Sequence, residues 1–182
     1  MARTVAASLT CAGLFVVAVG LGVASAQGAP SDEHRFVPQA AMANMVEIQL
    51  GHLAVKKAQD PRVKKFGQMM VDEHVKAQQD LADAASGVGI QWPKQLDASH
   101  QQIRQRLSRL SDEQFDREYM KTMIDGHRDV EKTLSARTPP SGAQKSGDSA
   151  LAAQVNQWAA KTLPTVRAHL SEAEQLYGEL KE

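Results

Sequence analysis

Four stretches of this 182-residue chain repeat apolar side chains at the 3.6-residue spacing of an α-helix, and none alternates with period two between turn signals. That pattern narrows the fold most. Each stretch leaves an apolar stripe that must be buried against a neighbour. Four such stripes predict an all-α protein, a four-helix bundle.

The first predicted helix runs from Val37 to Ala58, with Met42, Val46, Leu50 and Leu53 on one stripe. Asp60-Pro61 ends it and starts the next, with Asp60 as N-cap and Pro61 at the first helical position. The second runs to about Ser86, with Val63, Phe66, Met70, Ala77 and Leu81 on one face, until Gly87 and Gly89 stop it. So short a connection makes the two an antiparallel hairpin.

Residues 87–110 form a longer link, broken at Trp92-Pro93, with a short helix through Leu107 capped by Asp97 or Ser99. This link is long enough to cross the bundle, as in a ferritin-like topology, and it also reads as a plain loop with a helical insert. Ser111 and Gln114 match a capping box, with Leu110 and Phe115 at the staple positions. Phe115, Tyr119, Met123, Val130 and Leu134 line the third main helix. After a Pro/Gly/Ser-rich loop at 137–149, the last helix starts near Asp148 or Ser149. Pro164 is expected to kink it by removing the bond to the carbonyl of Ala160.

Residues 1–26 differ from the rest. Arg3 precedes an apolar run from Val5 to Val23, and Ala24-Ser25-Ala26 supplies the small residues of a cleavage site, so the segment reads as a signal peptide. A retained transmembrane anchor is the alternative. Cys11 fits a lipoprotein poorly, because the apolar run continues past it. The expected organisation is a leader at 1–26, a disordered segment at 27–35 and a bundle at 36–182. The protein is then periplasmic or secreted, with outer-membrane association as a variant. No later stretch is apolar enough to span a bilayer.

The chain has 21 Lys plus Arg and 21 Asp plus Glu, a balance that excludes a general nucleic-acid binder. Its single cysteine lies in the leader, so the remainder has neither a disulfide nor a thiolate metal cluster.

Candidate chemistry comes from polar residues that fall on the apolar stripes. His74 is central on the second stripe, His169 lies on the last beside Val166 and Leu170, and His127 is at the edge of the third. Glu47 edges the first stripe, and Asp116 lies on the third between Phe115 and Tyr119. At a rise of about 1.5 Å per residue, Glu47 and His74 stand within roughly one turn of the same level. His127, mid-helix, shares it. In a symmetric second hairpin His169 would instead pair with Asp116, about three turns from His127.

Two readings follow. In one, Glu47, His74, His127 and His169 hold a transition-metal ion (iron, zinc, manganese or copper) in the bundle core. In the other they are buried hydrogen bonds, with a Glu47–His74 pair tying the first hairpin together. The methionines at core spacing read as packing, Asp97-x-x-His100 as a cap and the Lys/Arg groups as solvated faces.

The segments EIQLGHLAVKKAQDPRVKKFGQMMVDEH (47–74), FDREYMKTMIDGH (115–127) and LPTVRAHLSEAEQLY (163–177) together resemble the bacterial domain-of-unknown-function family DUF4142. The resemblance covers about residues 34–178. It implies a ferritin-like bundle in an exported protein, with no established reaction. Positions matching the family pattern include Glu47, His74, Asp116, Tyr119, His127, Pro164 and His169. The E-x-x-H pairs of di-iron bundles are absent, so ferritin-type iron oxidation is not implied. The primary functional expectation is a non-enzymatic exported bundle that binds a protein partner or small ligand in envelope upkeep or stress. The alternative is a metal-binding or redox bundle, and oligomeric state is left open.

Overall fold

The computed structural model describes residues 31–86, 89–138 and 149–180. Five helices account for nearly all of them: α1 (Asp32–Lys57), α2 (Pro61–Ala84), α3 (Ala98–Ser108), α4 (Asp112–Arg137) and α5 (Ala150–Glu179). Among the described residues there is no strand, and no helix is long and apolar enough to cross a membrane. The leader and residues 139–148 of the loop lie outside the described residues.

Side-chain contacts fix the helix directions. The Asp116 carboxylate, at the start of α4, accepts from the backbone N–H groups of Gln59 (3.2 Å) and Asp60 (2.7 Å), placing that start at the α1–α2 turn. Arg137, at the end of α4, bonds Glu33 at the start of α1 (2.9 Å). Helix α4 therefore runs antiparallel to α1 and parallel to α2. Arg62 and Glu179 (2.7 Å) return the end of α5 to the α1–α2 turn. Two parallel neighbours in sequence order require a crossover. The link between α2 and α4 travels the length of the bundle, the ferritin-like alternative, and α3 touches both α1 and α4 on the way.

Local chemistry explains most boundaries. Asp60 caps α2 by accepting from the N–H of Arg62 (2.8 Å), with Pro61 behind it. Asp97 caps α3 through the N–H of His100 (2.9 Å). Ser149 caps α5 through the N–H of Ala152 (3.1 Å). Ser111 stands at the N-cap of α4, yet its hydroxyl makes no cap bond. Asp112 takes a left-handed φ of 54°, which replaces the expected capping box with a different entry.

Helix α1 starts at Asp32, five residues before the expected Val37 and inside the segment read as disordered. Pro38 is accommodated within it, and Asp32 and Glu33 favour the positive end of the helix. Helix α5 continues through Pro164.

Two apolar clusters fill the interior. The cluster at the α1–α2 turn includes Leu50, Phe66, Met70, Phe115, Met120 and Met123. The other, at the far end, includes Phe36, Val37, Leu81, Leu134, Trp158 and Val166. Helices α1 and α2 approach closely at Gly51 and Gly67: a Cβ on Gly51 would meet the Gly67 carbonyl oxygen at 2.6 Å.

Candidate metal centre

Between the two apolar clusters lies one polar layer to which every main helix contributes. On α1 it holds Asn44 and Glu47, flanked along the chain by Ala41 and Leu50. On α2, α4 and α5 it holds His74, His127 and His169 respectively. The 3.6-residue period explains the placement, since each polar residue falls where the stripe would otherwise carry an apolar one. The three imidazoles expose 6, 1 and 3% of their surface, so bulk water does not solvate a charge on them. Their ring centroids form a near-equilateral triangle with sides of 5.7, 5.5 and 5.4 Å.

Hydrogen bonds around the triangle set which nitrogens carry protons. The Asn44 amide donates to Gln78 (3.2 Å), leaving its oxygen to accept from His74 Nδ1–H (3.0 Å). His127 Nδ1–H donates to the Met123 carbonyl (2.8 Å). His169 Nε2–H donates to the Glu73 carboxylate (3.0 Å). Each neutral ring has then used its one proton outward and turns a lone pair inward. His127 Nε2 and His169 Nδ1 face each other at 3.3 Å, and His74 Nε2 has no protein partner. One nitrogen from each ring lies within 4.8 Å of the others.

Three inward lone pairs repel unless they share a cation. A proton is a poor one here. Burial, then the neighbouring His127 and His169 rings, pull the His74 pKa down to about 3. Burial and His127 also lower that of His169, against the opposing pull of Glu73. At neutral pH both rings are therefore uncharged and available as donors.

Glu47 is buried in the same layer, and its Oε1 lies 3.8 Å from His127 Nδ1, the nitrogen already bonded to backbone. It stands outside the converging set. Burial raises its pKa, partly offset by His127 and His100, and its Oε2 has no protein partner. Tyr119, also buried with an unpartnered hydroxyl, is raised well above the usual phenol value by burial and by Glu47. A cavity of about 420 Å³ runs along the seam between α1 and α4, with Glu47, His74 and His127 in its wall.

The expected site residues thus fall as follows. His74, His127 and His169 converge, and Glu47 joins the layer at its edge. The expected Glu47–His74 pair does not form; Asn44 takes His74 and Glu47 sits beside His127. His169 meets His127, three turns from where a symmetric hairpin places it. Asn156, six residues into α5, is level with the last residue of α4, bonded by Arg137 at 3.1 Å, so α5 overhangs α4 and the register shifts. Asp116, inward as expected, caps the α1–α2 turn far from the layer. Sequence reasoning missed Asn44 and Glu73. Asn44 lies three residues before Glu47, on its side of the helix, a spacing that carries the signal. Glu73 is half-exposed and carries none.

The solved structure of a DUF305 fragment from Deinococcus radiodurans has the same architecture, with a TM-score of 0.66 at 17% identity over 84% of this chain and 99% of that one. At that identity the likeness speaks for the helical-bundle fold alone. No curated protein matches the chain. The sequence model of the domain of unknown function DUF4142 matches residues 20–176, so the chain belongs to the DUF4142 family.

Proposed function

We propose that the protein binds one first-row transition-metal ion through His74, His127 and His169, and does so outside the cytoplasm. The carrying observation is three buried imidazoles with an outward N–H of each engaged and one nitrogen from each ring within 4.8 Å of the others. Two nitrogens at about 2.0–2.1 Å from a tetrahedral ion stand about 3.3 Å apart. His127 and His169 already have that separation, 3.3 Å. The outward bonds act as orienting partners, Glu73–His169 being the carboxylate–histidine arrangement that sharpens a metal ligand. Imidazole donors suit zinc, copper and iron; manganese prefers oxygen.

The export half of the reading rests on the leader pattern of residues 1–26. Partner binding in envelope upkeep or stress gains no comparable support. Val75 is the large hydrophobic side chain exposed among the described residues, and one such residue makes no patch.

The test uses tag-free protein stripped with a chelator and titrated with zinc against a chromophoric competitor. One ion per chain is expected, with binding lost in His74→Ala, His127→Ala and His169→Ala. Glu73→Gln should weaken binding about 10- to 100-fold, as loss of an orienting partner does. Wild-type protein that takes up no stoichiometric metal defeats the reading. Mass spectrometry of exported protein checks the leader, with Gln27 expected at the mature N-terminus.

A further inference from the structure

The three outward hydrogen bonds of the polar layer differ in kind. His127 Nδ1–H donates to a backbone carbonyl and His169 Nε2–H to the Glu73 carboxylate, groups that accept. Each of those acceptors fixes where its ring carries the proton. The partner of His74 Nδ1 is the Asn44 side chain at 3.0 Å, an amide with an oxygen at one corner and an NH2 at the other. Rotated by half a turn about its last bond, that amide would offer His74 Nδ1 a donor. The ring would then accept there and carry its proton on Nε2. Its charge would not change, but its inward lone pair would be lost. Without an ion, the facing lone pairs of the three rings favour that exchange. Of the three imidazoles, His74 is therefore the one whose partner leaves both tautomers open.

One residue further out closes the choice. Asn44 is 5% exposed, so protein groups set the orientation of its amide. Its NH2 donates to Gln78 Oε1 at 3.2 Å. Gln78 follows His74 by four positions on α2, so the two lie on one face of that helix, and Asn44 bonds both from α1. The two bonds share one polarity, because turning the Asn44 amide exchanges both of its ends at once. An acceptor at position 78 draws the NH2 and leaves the oxygen for His74. A donor at position 78 would draw the oxygen and leave the NH2 for His74.

From this chain of two hydrogen bonds, we propose that Gln78 is a positioning residue of the tri-histidine centre. By accepting from Asn44 it holds the Asn44 oxygen on His74, the proton on Nδ1 and the Nε2 lone pair on the inside. It acts through Asn44 alone and has no bond to the ring. This inference rests on the metal reading above for what the three rings hold. It adds the device that keeps His74 ready to donate before an ion arrives.

The test reads the tautomer of His74 in metal-free, tag-free, nitrogen-15-labelled protein by long-range nitrogen–proton NMR correlation, with zinc affinity measured alongside. The His74 signals are assigned by their loss in His74→Gln. Wild type should carry the proton on Nδ1. Gln78→Glu, which only accepts, should keep that tautomer and at least the wild-type zinc affinity. Gln78→Lys, which only donates, should move the proton to Nε2 and weaken zinc about 10- to 100-fold, the loss expected for an orienting partner. Gln78→Arg, a second donor, replaces it if circular dichroism shows Gln78→Lys unfolded. A new positive charge also repels a cation, so Asn44→Asp is added to the donor variant. The charge at position 78 stays, a carboxylate at position 44 accepts from both sides, and the Nδ1–H tautomer and most of the zinc affinity should return. Wild type with the proton on Nε2 overturns the inference. So does a donor variant that keeps Nδ1–H, since weaker zinc binding is then charge repulsion alone. Wild type that takes up no zinc overturns the metal reading, while the tautomer series, read without metal, still decides the role of Gln78.

Discussion

At the scale of single residues, the polar layer makes stability depend on pH in a way that separates its members. His74 is neutral in the folded protein down to about pH 3, whereas in the unfolded chain it charges near 6.5. Between those values the unfolded state holds the extra proton, so the histidine's contribution to stability shrinks as pH falls through that window. Glu47 works in the opposite sense. Burial raises its pKa, so above 4.5 the folded state holds more of its proton than the unfolded chain does, and it favours the native state less as pH rises toward its folded pKa. Below pH 4.5 Glu47 is protonated in both states and falls silent, leaving His74 and His169 to act. The acids with lowered pKa, such as Asp97 at about 2, lose stability on the same side, but they are shared by any variant of the layer. Metal-free wild type and His74→Leu should therefore differ in the slope of unfolding free energy against pH, by up to about 1.4 kcal/mol per pH unit between pH 4.5 and 3. Urea titrations at half-unit steps measure it. Parallel slopes would mean that His74 is not held neutral in the folded chain.

At the scale of helices, the turn between α1 and α2 depends on a residue from elsewhere. Asp116 is 1% exposed and satisfies two backbone donors of that partly buried turn, so Asp116→Ala leaves the N–H groups of Gln59 and Asp60 without their acceptor. The expected loss is about 1–3 kcal/mol, read as a melting temperature lower by roughly 2–4 °C per kcal/mol. Asp116→Asn, which keeps an acceptor, should recover part of it. The same residue shows where sequence reading succeeds and stops. Periodicity put Asp116, Glu47 and the three histidines on inward stripes, because a helical wheel depends on local geometry alone. Which inward groups meet depends on the register between helices. The α1–α2 register was legible because Asp60-Pro61 leaves almost no slack. The α4–α5 register was not, because nothing in a Pro/Gly/Ser loop states how far α5 extends beyond the level of Arg137 before the two helices run side by side. Hence Glu47 and His74 were rightly placed at one depth and wrongly paired, while His169 was displaced by three turns. The early start of α1 carried no apolar stripe, because residues 32–35 are all polar or charged, and Pro38 is found within the helix.

At the scale of the whole molecule, the polar layer divides an otherwise apolar core in two, and an ion bound there would offset part of its desolvation cost. His74 and His169 are 95 positions apart in sequence and meet only in the folded bundle. An ion held by all three rings therefore binds the native state and has far weaker affinity for the unfolded chain, so binding becomes folding stability. At a free zinc concentration one hundred times its Kd the gain is about 2.7 kcal/mol, or roughly 5–11 °C in melting temperature for a chain of this length. Excess chelator should reverse the shift, and His127→Ala should abolish it. Asp116→Ala should melt lower yet keep the full zinc shift, because Asp116 sits at the α1–α2 turn and the histidines in the middle layer, sharing no partner. A zinc shift that survives His127→Ala would place the ion at the surface. One that disappears in Asp116→Ala would mean that the turn and the layer act as a single cooperative unit, since distant independent sites add.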